Sequence, residues 1–319
     1  MTACRRKWLI AGLGLLIVSA AKAGEGGGSD YLQATYGDFQ TAVWGPAGLY
    51  FRNNTFYDTA NIGPRPLGGR VALAVDQKVW ANLATFAYLS DYTFLGARVG
   101  SAFAVPFVFN AHVSGTGAIP AGGFGIFKAG DVDGLGDMYF SPIQLNWTNG
   151  NHHFTFAPGF TAPTGKYDVD SLLNVSRNYW SFDIAGSYTW FDPKVGTDLS
   201  VTTGFMFNTT NPATDYRTGT EFHLDWLLGR FLSERFALGA VGYYTQQLDG
   251  DFGQVAGGLI DVSNYRGRGA GIGPAFLGVI PVTGGAPWTI IGKATFDFDN
   301  NNKRFDSTLF MLSFAHKLF

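Results

Sequence analysis

Apolar and polar side chains alternate with period two along much of this chain, most clearly in its second half. From Asn178 to Phe191, one parity carries Trp180, Phe182, Ile184, Gly186, Tyr188 and Trp190, and the other carries Tyr179, Ser181, Asp183, Ala185, Ser187 and Thr189. Leu199, Val201, Thr203, Phe205 and Phe207 repeat the pattern against Asp198, Ser200 and Thr202, and Phe222, Leu224 and Trp226 repeat it against Glu221, His223 and Asp225. Near the end, Trp288, Ile290, Phe296 and Phe298 alternate with Thr289, Lys293, Asp297 and Asp299. Strict alternation marks a strand with one apolar face. The same test predicts about twelve strands, near 47–59, 77–91, 96–115, 136–148, 152–163, 177–192, 196–208, 218–231, 235–247, 267–281, 287–299 and 305–318.

The connections alternate as well. Ser90–Thr93, Thr148–Asn151, Asp192–Lys194, Leu232–Glu234 and Thr283–Gly285 read as tight turns, whereas longer loops fall near 60–76, 116–135, 164–176, 209–217 and 248–266. Short turns at one end and long loops at the other are what an up-and-down meander gives when one barrel end faces the periplasm. A soluble sandwich or lipocalin-like barrel also alternates. Three features favour lipid outside: apolar faces bounded by aromatic residues, with Trp180, Trp190, Trp226 and Trp288 expected as a membrane girdle, charges on the opposite face, and low overall charge. The last residue, Phe319, is aromatic, but Phe310, Leu312, Phe314 and Leu318 form the greasier parity. Either a bulge shifts the register or Phe319 lies just beyond the last lipid-facing position.

Composition narrows the class. Of 319 residues, 16% are aromatic and only 14% charged, against roughly a quarter charged in ordinary soluble domains. Arg5, Arg6 and Lys7, an apolar stretch from Trp8 to Val18, and Ala21-Lys22-Ala23 have the layout of a secretory signal peptide cleaved after Ala23. The stretch is too short to cross a bilayer of ~30 Å as a helix. The expected organisation is therefore a leader at 1–23, an N-terminal lead or lumen plug at 24–45, and a barrel at 46–319. Loss of Arg5, Arg6, Lys7 and Lys22 leaves 18 basic residues against 24 acidic ones, a net charge of −6, which disfavours nucleic-acid binding. The single Cys, Cys4, leaves with the leader, so disulfide scaffolds and thiolate zinc sites are excluded. The longest later apolar run, Ala102–Phe109, is too short to be a spanning helix. An exported chain of this kind enters a membrane only as a closed barrel.

Inward-facing candidates for lining a solute path are Glu221, His223, Asp225, Arg177, Tyr179, Ser181 and Asp183; the competing reading of each is a satisfied internal network. Glu221, His223 and Asp225 share one strand face, but same-face neighbours lie ~6.6 Å apart along the backbone, too far for a direct triad, and no G-x-S-x-G motif occurs nearby. No catalytic residue is therefore expected, nor a cofactor or a metal. His152-His153 straddles two faces, and Asp131–Asp137 resembles a calcium loop without its Glu ligand. Gly269, Gly271 and Gly273 read as strand glycines, for no helix follows them. Segment 24–45 holds Tyr31, Tyr36, Phe39 and Trp44, an aromatic load unusual for a free tail.

Several strings resemble one family, the outer-membrane proteins known as the "MetA-pathway of phenol degradation" or SphA-like family. They are Gly134–Asp137, Pro163–Asp168, Arg177–Trp180, and Asn211–Tyr216 with Gly219, Glu221, His223 and Asp225. Tyr244–Gln247 with Asp249, Asp251 and Gly253, then Arg266–Arg268 and Gly271–Pro274, continue it. The resemblance spans roughly 45–319 and is strongest from 134 to 274. Val175-Ser176 departs from it where the family usually has a glycine, and so does the glycine-rich 116–130 loop. It implies an outer-membrane barrel, often encoded near aromatic-compound degradation, that moves hydrophobic molecules. It supplies no catalytic residues. The whole reading is an all-β transmembrane antiparallel up-and-down barrel in a Gram-negative outer membrane, passing small hydrophobic or aromatic compounds without an energy source. Expected partners are outer-membrane lipid and lipopolysaccharide, the barrel assembly machinery and the solute. The rival readings are a structural or adhesive barrel with a closed lumen and, less favoured, an outer-membrane hydrolase.

Overall fold

The structure, a computed structural model, describes Glu25 and residues 29–62, 65–67, 70–119, 123–125, 130–169, 171, 174–253, 262–263, 266–300 and 306–319. The leader expected at 1–23 lies outside the described residues. Fifteen strands follow in chain order: β1 (Gly48–Ile62), β2 (Arg65–Leu67), β3 (Arg70–Phe94), β4 (Ala97–Ile119), β5 (Gly123–Gly125), β6 (Gly130–Leu135), β7 (Met138–Asn149), β8 (His152–Ala162), β9 (Ser181–Asp192), β10 (Thr197–Asn208), β11 (Glu221–Ser233), β12 (Phe236–Gln247), β13 (Arg268–Ile280), β14 (Trp288–Asn300) and β15 (Asp306–Lys317). Twelve of them close a barrel. Each pairs antiparallel with its neighbour from β3 through β4 and β7 round to β15, and β1 joins the two ends by pairing with both β15 and β3. The three short strands extend the hairpins beyond the ring.

Closure follows from the side-chain pattern. Trp180, Phe182, Ile184, Leu199, Phe205, Phe276, Phe310 and Phe314 are exposed on the outer face, while Asp183, Asp198, Ser200, Glu221, His223, Asp225 and Lys293 are buried inside. That is the inverse of a soluble domain and suits a hydrocarbon surround. Trp180, Trp190 and Trp288 sit at strand ends, but Trp226 lies mid-strand, opposite Val201 and Gly242. Its ring covers Gly242, where a Cβ would lie 2.4 Å from the indole.

Two stretches expected as loops are strand instead. β1 and β3 consume most of 60–76, and β4, β5 and β6 consume much of 116–135. The physical reason is that a paired hairpin satisfies its own backbone groups, so it continues well past the ~10 residues needed to cross a bilayer. The turn expected at Ser90–Thr93 lies at Leu95-Gly96, both with positive φ (51° and 74°), and the Leu89–Thr93 stretch is a register irregularity in the strand. Two left-handed residues make the hairpin turn whose twist matches its strands. At the other terminus β15 pairs with β1 without a shift, and Phe319 lies beyond the strand, its carbonyl accepting the Leu49 N–H at 3.1 Å.

Candidate functional site

The lumen is not empty. Residues 29–45 run through it from the long-loop end to the tight-turn end, where the chain enters β1. At the long-loop end the Glu25 N–H donates to Thr218 Oγ1, and its carboxylate accepts from Asn211 Nδ2 at 2.8 Å and Thr214 Oγ1 at 3.1 Å. Ser29 Oγ donates to Glu221 at 2.5 Å, and Ser181 donates to Asp30. Tyr31 OH donates to Asp225 Oδ2 at 2.8 Å, while His223 Nε2 meets Asp183 Oδ1 at 3.0 Å. The Tyr31 and Tyr36 rings lie nearly parallel to the His223 imidazole, with centroids 4.7 and 5.5 Å away. Such stacking adds about 1 kcal/mol beyond the area it buries.

Midway, an ionic latch holds the segment. Lys293 Nζ on β14 donates to Ala34 O, Gly37 O and Asp38 Oδ1 at 2.7, 3.0 and 2.7 Å, and Arg52 on β1 donates to the second oxygen of Asp38. All three ammonium donors are used, which a buried cation requires. Phe39 fills an apolar patch made by Leu227, Ala237, Val241, Leu277 and Ile291. Near the tight turns, the N–H groups of Gln40, Thr41 and Ala42 donate to Asp198, Ser200 and Thr189. Asn146 donates to Ala42 O at 2.8 Å, and Arg98 donates to Gly45 O beside the Trp44 ring. Turn and irregular backbone inside a barrel must find such partners where its own turns do not supply them, and the inward polar side chains of β7, β9 and β10 do so.

The segment packs against β9 to β14 and leaves the opposite side open. There a cavity of about 660 Å³ lies between it and β1, β3, β4, β7 and β8. Its wall on β3 and β4 is apolar over Val79, Leu83, Ala102, Ala104, Pro106 and Val108, with Phe56 beside them on β1 and Gln77 and Thr85 as the polar members on β3. Tyr139, Tyr167, Tyr179, Arg52 and Arg177 supply polar groups on the other sides. A volume of this size, with an apolar wall on one side and polar groups on the others, is that of a small-molecule site.

The sequence-derived candidates divide accordingly. Arg177 and Tyr179 border the cavity. Glu221, His223, Asp225, Ser181 and Asp183 face inward and are buried beneath residues 29–36, to which Glu221, Asp225, Ser181 and Asp183 are hydrogen-bonded. Periodicity decides which way these side chains point, not what covers them. The apolar wall went unnamed in the sequence reading, yet it had a signal. Ala102–Phe109 is apolar on both parities, and its inward members Ala102, Ala104, Pro106 and Val108 face the cavity while Phe103, Phe107 and Phe109 face out. Among the metal candidates, His152 Nδ1 meets Tyr188 OH at 2.8 Å and His153 Nδ1 meets Thr148 Oγ1 at 3.0 Å. Asp137, from the partial calcium loop, accepts the N–H groups of Gly165 and Arg177 and the Ser176 hydroxyl.

The sequence strings that looked family-like meet at the long-loop end. Besides Asp137, Asp251 accepts from Tyr216 OH at 2.5 Å, from the Gly219 N–H at 2.9 Å and from Gln247. Asn178 donates to Asn211 Oδ1, whose amide nitrogen holds Glu25. These residues tie the loops to one another and to the start of the lumen segment. Burial pushes the Asp251 carboxyl up to about 7, against the pull of its three donors.

The family model described as "Putative MetA-pathway of phenol degradation" matches residues 63–281. The chain belongs to this family. Among solved structures, the COG4313 outer membrane channel from Pseudomonas putida F1 is similar, with a TM-score of 0.67 and 15% identity over 88% of this chain and 98% of that one. The β domain of the Bordetella autotransporter BrkA gives 0.47 at 13% identity, over 86% of this chain and all of that domain. A Pseudomonas aeruginosa FadL homologue gives 0.40 at 8% identity, over 86% and 90%. No curated protein matches. The architecture of the family member is thus that of an outer-membrane barrel.

Proposed function

We propose that this chain is an outer-membrane channel through which small hydrophobic or aromatic compounds pass without an energy source, by way of the cavity between the lumen segment and the β3–β4 wall. The observation that carries this reading is that wall: an apolar face that borders open space, whereas the apolar patch on the other side of the lumen is filled by Phe39. A water-filled porin has no use for it, whereas an aromatic solute gains by leaving water against Val79, Leu83 and Val108 and keeps its polar group on tyrosine or arginine. Membership of a family described by phenol degradation, and likeness to a structure described as an outer membrane channel, support the same reading.

Catalysis by the buried acid and histidine cluster is disfavoured. His223 bonds Asp183 through Nε2 while its buried Nδ1 has no hydrogen-bond partner among the described residues, so none of these presents a hydroxyl to it as a nucleophile. A closed structural barrel is favoured by one observation, the dense bonding of residues 29–45. The test is single-channel conductance of the refolded mature protein with and without residues 24–45. Steady conductance, or conductance that appears on deletion, is expected; silence in both forms together with no uptake of a hydrophobic dye overturns the channel and favours the structural barrel.

A further inference from the structure

Among the described strands, the ladder is interrupted mid-wall between β13 and β14, where Gly273, Pro274, Ala294 and Thr295 lack ladder partners, and between β7 and β8, where the weak seam borders the cavity. Below it, Leu145↔Phe156 through Asn149↔His152 pair in register, and above it Met138↔Ala162 through Phe140↔Phe160 pair in a register shifted by one residue. Between them, Ser141 to Gln144 and Ala157 to Gly159 have no ladder partner across the seam. That gap is about 10–13 Å of strand at ~3.3 Å per residue. Pro142 on one strand and Pro158 on the other lack an N–H, and proline inside a sheet is confined to edges and bulges. By contrast β8 pairs with β9 without a break past the same point.

What closes the seam is slight. The Ser141 hydroxyl donates to Pro158 O at 2.9 Å, and the Tyr139 ring lies over Gly159, whose missing Cβ makes room for it. Tyr139, Gln144 and Ala157 line the cavity on the inner side. On the outer side Ile143 is 57% exposed, facing where the hydrocarbon would be. A single neutral side-chain hydrogen bond holds the unpaired stretch, so parting the strands here costs little compared with parting a continuous stretch of the ladder.

We propose, resting on the channel reading above, that the β7–β8 seam is a lateral exit through which an uncharged aromatic or aliphatic solute passes from the cavity into the bilayer. The direction is set by solvation. A hydrophobic solute leaving axially re-enters water and forfeits its burial, whereas leaving through the wall keeps it buried.

The mature chain contains no cysteine, so a lock can be placed cleanly. Continuing the register from Leu145↔Phe156 sets Gln144 opposite Ala157, and the double variant Gln144→Cys with Ala157→Cys closes the seam on oxidation. Leu199→Cys with Leu228→Cys, an outward pair on the intact β10–β11 ladder, is the control. The readout is uptake of N-phenyl-1-naphthylamine into the outer membrane of cells with an intact lipopolysaccharide leaflet, with ion conductance of the same proteins in planar bilayers and a folded heat-modifiable band as the check on assembly. Expected is loss of dye uptake to the level of cells lacking the protein in the oxidised lock, recovery on reduction, unchanged conductance, and no effect in the control. Dye uptake equal in oxidised and reduced forms overturns the lateral exit and leaves the channel standing. Joint loss of uptake and conductance overturns it in favour of an axial path. Dye uptake by the unaltered protein no greater than in cells lacking it overturns the channel reading itself.

Discussion

At the scale of single residues, the interior is governed by buried charges that must be paired. Asp38 holds Lys293 and Arg52 together, and both cations reach it from the barrel wall while it sits on the lumen segment. Removing the carboxylate leaves Lys293 buried with two carbonyls and no counter-charge, a loss of about 3–5 kcal/mol for breaking one side of a buried pair. Asp38→Ala is therefore expected to loosen residues 29–45 without unfolding the barrel. Protease cleavage within the segment and longer conducting events should both increase, and an unchanged cleavage pattern would refute the latch. Asp251 makes a second prediction, through pH. Its carboxyl titrates near 7 in the folded protein because of burial, above its usual value near 4, so the folded state holds the proton more tightly than the unfolded. The stabilisation this gives is full below pH 4 and is lost as pH rises through 7. Hydrogen exchange of the Tyr216–Gly219 backbone should accelerate between pH 5 and 8 beyond its intrinsic pH dependence, and Asp251→Asn should abolish the excess. Which residue faces inward was legible from parity alone. That Asp183 would face a histidine, or that Glu25 would meet Asn211, was not, because the partners lie 40 and 186 residues apart.

At the scale of elements, strands were legible because their period is local. Twelve stretches of alternation correspond to the twelve strands of the ring, most with ends within a few residues. The exceptions have identifiable causes. The β1–β3 and β3–β4 hairpins run on past the membrane because pairing continues to satisfy the backbone, and Ser90–Thr93 resembled a turn by composition although the turn needed two left-handed residues, which Leu95-Gly96 provide. Gly96 has open space about it, so only its backbone constrains it. Gly96→Val is expected to cost about 1–2 kcal/mol, the penalty of a left-handed conformation for an L-residue, read as a lower urea midpoint for refolding in detergent. A midpoint unchanged from the parent would mean that the turn relaxes to another type. The prolines at the β7–β8 seam were visible in the sequence as Pro142 and Pro158, but their meaning depends on both falling in one unpaired stretch of the same ladder.

At the scale of the whole molecule, the lumen has two sides, one filled by residues 29–45 and one left open against apolar residues of β3 and β4. Glu25, Asp30, Asp38, Asp58 and Asp137 line the cavity against Arg52 and Arg177, an excess of negative charge in a low-dielectric surround. Whatever current the channel carries should prefer cations, and a reversal potential of anion sign in a potassium chloride gradient would contradict that. The sequence by itself determined the strands, the face each turns to lipid, the alternation of turns and loops, and so the closed antiparallel barrel, because all of these follow from a two-residue repeat read along a short window. Only the tertiary structure decided that residues 29–45 thread the lumen, that they cover Glu221, His223 and Asp225, and that the remaining space lies against β3 and β4. Those outcomes depend on contacts such as Ser29 with Glu221 and Tyr31 with Asp225, made across nearly two hundred residues by a segment with no periodicity of its own. Local patterns direct side chains inward; what meets them there is settled by the closure of the ring.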